Sequence, residues 1–234
     1  MNAPEADRNN EPSWLQQRKQ MVLRQLESRG LRDRRVLQAM MQIPREEFVP
    51  TDLQEQAFQD GPLPIGFGQT ISQPYTVAAM AEALRLSPSD RVLDVGTGSG
   101  YAAAVLSCLA AEVHSIERIP ELAESASQRL RRLGMDNVHV HLGDGTAGLP
   151  AYAPFDAIVV AAGAPELPQP YVEQLADGGR IVIPIGSTST SQSLYRFTRH
   201  GDHIQSEDLG PFSFVPLIGK HGWPDDDLSW RQTE

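Results

Sequence analysis

Apolar and polar positions along the chain change period twice. From Ser13, the residues Trp14, Leu15, Met21, Val22, Leu23 and Leu26 recur at roughly helical spacing until Gly30 stops the run. Asp33 is placed to cap a second short helix carrying Val36, Leu37, Met40 and Met41, which ends before Pro44. The stretch from Gly61 to Pro74 is too rich in Gly and Pro for a long element. Pro74 opens a helix to about Leu86, and Ser87-Pro88-Ser89-Asp90 is a turn. Beyond Asp90 short apolar runs alternate with helical stretches. Strands are predicted at 91–95, 112–117, 138–142, 155–161 and 180–185, with helices over 99–110, 120–133 and 168–176 and a turn at Gly178-Gly179. Such alternation means βαβ units and a parallel sheet with helices on both faces. The last stretches, Gln192–His200, His203–Leu209 and Phe212–Ile218, lack long helices between them and predict three strands that extend the sheet with antiparallel pairing. The predicted class is therefore α/β, a doubly wound, mostly parallel sheet with an N-terminal helical appendage and antiparallel C-terminal strands. Residues 1–12 read as a loose tail, 13–86 as the helices and the segment before the sheet, 87–220 as the core and 221–234 as a mobile polar tail.

The chain of 234 residues is 40 % apolar and 21 % charged, a composition that is globular and neither disordered nor membranous. Its formal charge of −10 argues against a non-specific nucleic-acid binder, which needs a basic surface to displace counterions. One cysteine, Cys108, excludes an internal disulfide framework, and the first residues carry no basic-then-apolar secretory pattern. A cytoplasmic protein with no membrane and no nucleic-acid partner is the expectation, with a monomer favoured.

The sharpest chemistry lies at Asp94-Val95-Gly96-Thr97-Gly98-Ser99-Gly100, where an apolar strand runs through three alternate glycines into a helix. In an open parallel sheet, ligands bind beyond the carboxyl ends of the strands, and glycines let a ligand approach the backbone. The dinucleotide fingerprint fails, because its sixth position is Tyr101; the P-loop fails because no Gly-Lys-Ser/Thr follows. Asp94 would repel a pyrophosphate but suits a ligand bearing an amino group. S-adenosyl-L-methionine has an amino group, a carboxylate and a cationic sulfonium. Glu117 ends the next strand, where an acid accepts from ribose hydroxyls, and Asp144 in Gly143-Asp144-Gly145 ends the third, in place to accept from the adenine amine. Acids at three successive strand ends are far more specific than any one alone. The candidate cofactor set is Asp94, Gly96, Thr97, Gly98, Gly100, Glu117, Asp144 and Gly145.

Before the sheet stands Leu63-Pro64-Ile65-Gly66-Phe67-Gly68-Gln69-Thr70-Ile71-Ser72-Gln73-Pro74-Tyr75. This run resembles the signature of the protein-L-isoaspartate O-methyltransferases. Pro44-Arg45-Glu46-Glu47-Phe48-Val49, Pro154-Phe155-Asp156-Ala157-Ile158, Gly178-Gly179-Arg180 and Phe214-Val215-Pro216-Leu217 resemble other segments of that family, so the likeness covers roughly residues 20–220. It implies a class I, Rossmann-like methyltransferase sheet with its last two strands exchanged in order. It also implies methyl transfer from S-adenosyl-L-methionine to the α-carboxyl of L-isoaspartyl residues in damaged proteins and peptides, whose esters collapse to succinimide and reopen as aspartate. By the same resemblance Ser72 lies in the active site as the catalytic residue, Thr70, Ile71 and Ser72 face the cofactor, and Ile65, Gly66, Gln69, Thr70 and Val215 hold the peptide. A carboxylate nucleophile is already ionised at neutral pH, its pKa being near ~4, so no general base is required.

Each residue also has a plainer role available. Ser72 is a good helix N-cap before Pro74, Gly66 and Gly68 are ordinary loop glycines, and Gln69 is either structural or substrate-facing. His139 and His141 alternate on one strand, but two histidines do not close a metal site, and none is expected. Cys108 reads as a small buried hydrophobe, Arg129, Arg131 and Arg132 as a solvated helix end, and Tyr101 as packing on the glycine loop. Trp14 is placed to anchor the first helix. The alternative activities are methylation of another small-molecule or protein acceptor, or cofactor binding without catalysis.

Overall fold

A computed structural model describes residues 13–188 and 191–224. The tail expected at 1–12 and the acidic stretch Asp225-Asp226-Asp227 lie outside the described residues. The N-terminal part forms α1 (Ser13–Met21), which continues through a π-helical turn at Val22–Leu26, and α2 (Arg34–Gln42). Gly30 closes the first helical stretch at φ 100°, and the Asp33 side chain caps α2 by accepting from the Arg35 amide at 2.8 Å. Trp14 packs on Phe58 with ring centroids 6.0 Å apart, which anchors α1. The irregular stretch then holds a small hairpin, β1 (Leu63–Gly66) and β2 (Gln69–Ile71), whose tip Phe67 is 58 % exposed. The helix α3 (Pro74–Leu84) follows.

The core begins at β3 (Arg91–Val95) and continues through α4 (Tyr101–Ser107), β4 (Glu112–Glu117), α5 (Pro120–Arg132), β5 (Val138–Leu142), β6 (Phe155–Val160), α6 (Gln169–Gln174), β7 (Leu175–Thr188), β8 (Ser191–His200) and β9 (His203–Phe212). The sheet order is β5-β4-β3-β6-β7-β8-β9, parallel from β5 to β7 and antiparallel from β7 to β9. The last two strands stand in chain order beside β7, as the resemblance implied. One apolar cluster joins the N-terminal helices to the sheet, running from Met21 and Met40 through Phe48 and Leu84 to Val92 and Val105, and a second gathers Leu93, Phe155 and Ile181.

Three expectations change. Phe212–Ile218 is not a third strand. It leaves β9 and crosses the carboxyl end of β6, where Gly163 donates to the Val215 carbonyl and Leu217 donates back to the Gly163 carbonyl, both at 2.8 Å. Gly178-Gly179 is not a turn before a strand but an irregularity inside β7, since Phe155 pairs with Leu175 while Ala157 pairs with Arg180. The polar end does not loosen at residue 222: the Trp223 indole donates to the Gly163 carbonyl at 3.0 Å, and its amide donates to the Leu217 carbonyl at 2.7 Å.

Gly186 lies where the β7–β8 ladder shifts register. A Cβ there would stand 2.0 Å from the Ser191 carbonyl oxygen, a backbone atom with little freedom to retreat. Gly186→Ala is expected to cost about 1–3 kcal/mol, lowering the thermal midpoint by roughly 2–12 °C in a calorimetric scan.

Candidate active site

The chain leaves β3, runs outward to β4 and β5, and returns to β6, so the strand order reverses between β3 and β6. Ligands of open α/β sheets bind at such a point. Here Gly96, Thr97, Gly98 and Ser99 of the glycine loop and Ala161-Ala162 after β6 floor a cavity. The loop is wired to its neighbours. Gly96 and Thr97 donate to the Ile116 carbonyl at 2.9 and 3.3 Å, and Ala161 donates to the Val95 carbonyl at 2.8 Å. Gly100, at φ 89°, meets α5 closely: a Cβ would lie 3.2 Å from Leu130 Cδ1. At Gly98, φ 53°, a Cβ would lie 3.3 Å from Ile65 Cδ1, so the hairpin leans on the loop.

The three strand-end acids have different surroundings. Glu117 is 6 % exposed and lines the cavity. Its Oε2 accepts from the Gly98 amide at 2.9 Å, and its Oε1 from the amides of Arg118 and Ile119 at 2.9 and 3.0 Å. Asp94 lies fully buried beneath the loop and is not part of the cavity wall. Its Oδ2 accepts from the Ser115 hydroxyl at 2.7 Å, and Thr97 Oγ1 lies 2.6 Å from that same hydroxyl. Since the Ser115 proton points at Asp94, Thr97 donates to Ser115. Asp94 Oδ1 has no hydrogen-bond partner. Burial lifts the Asp94 pKa to about 7, opposed by the Ser115 hydrogen bond and reinforced by the charge of Glu117.

Asp144 also stands off the cavity wall, whereas Gly145 is part of it. Asp144 Oδ1 accepts from the amide and hydroxyl of Thr146 at 2.9 and 2.7 Å, and Oδ2 from the Lys220 amide at 2.9 Å. Although burial opposes it, these hydrogen bonds hold the Asp144 pKa below the usual carboxylate range. The carboxylate thus ties down the crossing segment, whose Val215, Pro216, Leu217 and Ile218 wall the cavity.

The hairpin supplies the other wall through Gln69, Thr70, Ile71 and Ser72. A second, open groove runs away from the first, past Tyr75, Leu209, Phe212 and Phe214. The two share Thr70, Ser72, Ala161, Val215 and Pro216. Ser72 does not cap α3; that position belongs to Gln73, which makes no side-chain cap. The Ser72 hydroxyl therefore remains free at the junction. Ile65 and Gly66 belong to the hairpin and line neither cavity.

The same arrangement recurs in known proteins. A profile for Protein-L-isoaspartate(D-aspartate) O-methyltransferase matches residues 16–222. The chain belongs to that family. It is 58 % identical to protein-L-isoaspartate O-methyltransferase 2 of Pelobacter propionicus over 87 % of this chain and 91 % of that one. With protein-L-isoaspartate O-methyltransferase 2 of Marinobacter nauticus it shares 57 % identity over 88 % of this chain and 95 % of the other. A solved protein-L-isoaspartate O-methyltransferase superposes with TM-score 0.79 at 31 % identity, covering 88 % of this chain and 67 % of that one. A Plasmodium falciparum beta-aspartate methyltransferase in complex with S-adenosyl-L-homocysteine gives TM-score 0.72 at 28 % identity, covering 85 % of this chain and 97 % of that one.

The cavity suits the methyl donor of a protein-L-isoaspartate O-methyltransferase. Glycines keep the floor low, since a Cβ at Gly145 would lie 2.7 Å from Val95 Cγ1. Glu117 offers carboxylate oxygens, and Ile116, Ile119, Leu217 and Ile218 give an apolar slot of the kind an adenine fills. Other contributors were not legible. Arg129 is no solvated helix end: it donates to the Ser99 carbonyl at 2.8 Å and so braces the glycine loop from α5, while Arg132 pairs with Glu47 at 2.8 Å. Cys108 is exposed at the end of α4 rather than buried, and its thiol donates toward the Ala104 carbonyl. His139 and His141 share their face with His114 of β4, whose Nδ1 lies 3.1 Å from His141 Nε2; among the described residues no three such groups are arranged to hold a metal ion.

Proposed function

We propose that this protein transfers a methyl group from S-adenosyl-L-methionine to the α-carboxyl of L-isoaspartyl residues in damaged proteins and peptides, starting their repair through a succinimide. The observation that carries the reading is the junction at Ser72, where a recess lined by glycines and Glu117 opens into a second, open groove. When bound, the cofactor supplies an electrophilic methyl group on a sulfonium.

The residues around it have separable tasks. Glu117 accepts from the ribose hydroxyls, Gly96, Thr97, Gly98 and Gly145 keep the floor open for backbone approach, and Gly100 lets the loop close onto α5. Asp94 supplies negative charge beneath the loop, and Asp144 holds the crossing segment over the cavity. Thr70, Ile71 and Ser72 separate cofactor from peptide, with Gln69 and Val215 toward the peptide, while Ile65 and Gly66 support the hairpin from behind. The Ser72 hydroxyl donates to the isoaspartyl carboxylate and orients it without competing as a base. Anion and cation neutralise each other as the methyl moves, so exclusion of water by the hairpin and the crossing segment favours transfer. Alignment of the reacting atoms is the main task left to the protein. Residues 13–86 form the peptide-side unit and 87–220 the cofactor-side unit of this division. Among the described residues no helix is long and apolar enough to cross a membrane. A cytoplasmic setting and a monomer without nucleic-acid partners complete the reading, supported by the net charge of −10 and the single cysteine.

The test is formation of base-labile methyl ester on an isoaspartyl peptide and on its aspartyl twin. Transfer to the isoaspartyl form alone supports the reading; equal transfer to both moves the activity to another acceptor. Ser72→Ala is expected to lower kcat about 10- to 150-fold, as loss of one charge-assisted hydrogen bond does, with S-adenosyl-L-homocysteine affinity within threefold of wild type. Full turnover in the variant would remove the orienting role.

A further inference from the structure

The segment Pro44–Val49 carries a buried charge behind the hairpin strand that ends at Ser72. Arg45 is fully buried. Its Nε donates to the Ala57 carbonyl at 2.7 Å and its Nη2 to the Ser72 carbonyl at 2.8 Å. The guanidinium lies 4.7 Å from the ring centroid of Tyr101, whose other surroundings include the cofactor cavity. The third nitrogen, Nη1, is buried without a hydrogen-bond partner. Among the described residues no carboxylate pairs with Arg45; the adjacent Glu46 pairs with Arg18 at 2.7 Å.

A buried cation without a counter-ion is costly, and a guanidinium does not escape by losing its proton. Two backbone carbonyls satisfy two of its nitrogens but bring no counter-charge. An anion that arrives only with substrate gives the charge a purpose. Charge is in fact divided across the cavity. Asp94 and Glu117 stand on the cofactor side, where a cation binds, and Arg45 stands behind Ser72, where a carboxylate binds.

We propose that Arg45 is a positioning residue for the substrate carboxylate. It fixes the Thr70–Ser72 segment through the Ser72 carbonyl, and its unneutralised charge favours an anion over a neutral group at the Ser72 hydroxyl. The proposal rests on the isoaspartyl reading above and specifies how that substrate is selected.

The experiment compares two peptides of one sequence, one with an isoaspartyl carboxylate and one with the corresponding carboxamide. Their binding to enzyme saturated with S-adenosyl-L-homocysteine is measured by calorimetry for wild type, Arg45→Gln and Arg45→Lys. Wild type is expected to prefer the carboxylate, and Arg45→Gln to reduce that preference about 10- to 50-fold while carboxamide affinity stays within about threefold. Arg45→Lys keeps the charge and loses the fork, so it is expected to retain most of the preference while kcat falls. If Arg45→Gln does not fold, the lysine variant decides: loss of the carboxylate preference despite its retained charge overturns the proposal. Folded Arg45→Gln that keeps the wild-type preference, or that loses both peptides equally, also overturns it. Wild-type transfer to the isoaspartyl peptide but not to its aspartyl twin is read separately, so failure of the activity is not confused with failure of Arg45.

Discussion

Replacing Glu117 with Ala is expected to weaken S-adenosyl-L-homocysteine binding by about 10²- to 10³-fold. Hydrogen bonds to a charged acceptor contribute roughly 1.5–3 kcal/mol each, and water recovers part of that when the acceptor is lost. Two ribose hydroxyls give the proposed direct loss. An indirect loss adds to it, because the same carboxylate takes the amides of Gly98, Arg118 and Ile119. Those bonds hold the glycine loop of β3 against the turn after β4, so the variant also has to reorganise the floor of the cavity on binding. Glu117→Gln tests both parts without removing the side chain. Its amide keeps one acceptor oxygen but turns an NH₂ group toward either an amide N–H or a hydroxyl, so it is expected to lose nearly as much. Titration calorimetry decides the matter. A glutamine variant that binds within threefold of wild type would show that binding needs the carboxylate neither for the ribose nor for the loop.

How much of this site could be read from the chain alone follows from the range of the interactions involved. The strand β6 is a nearly unbroken apolar run, β3 and β4 are short segments of buried residues between turn signals, and the loop after β3 is defined by three alternate glycines. Both are local signals, and both appear where expected. The Asp33 cap is local too, and it formed. Phe212–Ile218 failed because alternating apolar residues predict burial on one side but not the partner. Here the partner is Gly163 after β6, not a neighbouring strand. Trp223 belongs to the same event, since its indole reaches Gly163 across 60 residues of sequence. Arg129 and Arg45 look from sequence like ordinary charged residues, one in a basic helix end and one beside two glutamates. Only the fold shows that one braces Ser99 and the other Ser72. Ser72 itself was ambiguous for a local reason: Ser and Gln both precede Pro74, and the chain used Gln73 as the cap position.

Asp94 sets the largest expected pH effect. Its folded pKa of about 7 lies above the ordinary carboxylate value of 3.8. Below pH 4 it is protonated in both folded and unfolded chains and makes no difference between them. Between pH 4 and pH 7 the folded chain holds the proton that the unfolded chain has released, so stability falls as pH rises. Above pH 7 the full penalty is present, roughly 4 kcal/mol at 1.36 kcal/mol per pKa unit. Asp94→Asn removes the charge, and its amide oxygen still accepts from Ser115. The new NH₂ takes the place of the unpartnered Oδ1, which returns about 1–3 kcal/mol of the gain. The variant is therefore expected to melt about 2–12 °C above wild type at pH 8 and no higher than wild type at pH 4. Function should move the other way. The ionised carboxylate is the negative charge beneath the loop, so affinity for S-adenosyl-L-homocysteine at pH 8 is expected to fall at least about tenfold, with a smaller loss at pH 5.5, where wild-type Asp94 is itself mostly neutral. Parallel melting and titration series at the two ends of this range test both signs together. A variant no more stable than wild type at pH 8 would show that the carboxylate is not destabilising where it lies. An affinity loss equal at both pH values would assign it to altered loop geometry instead of charge.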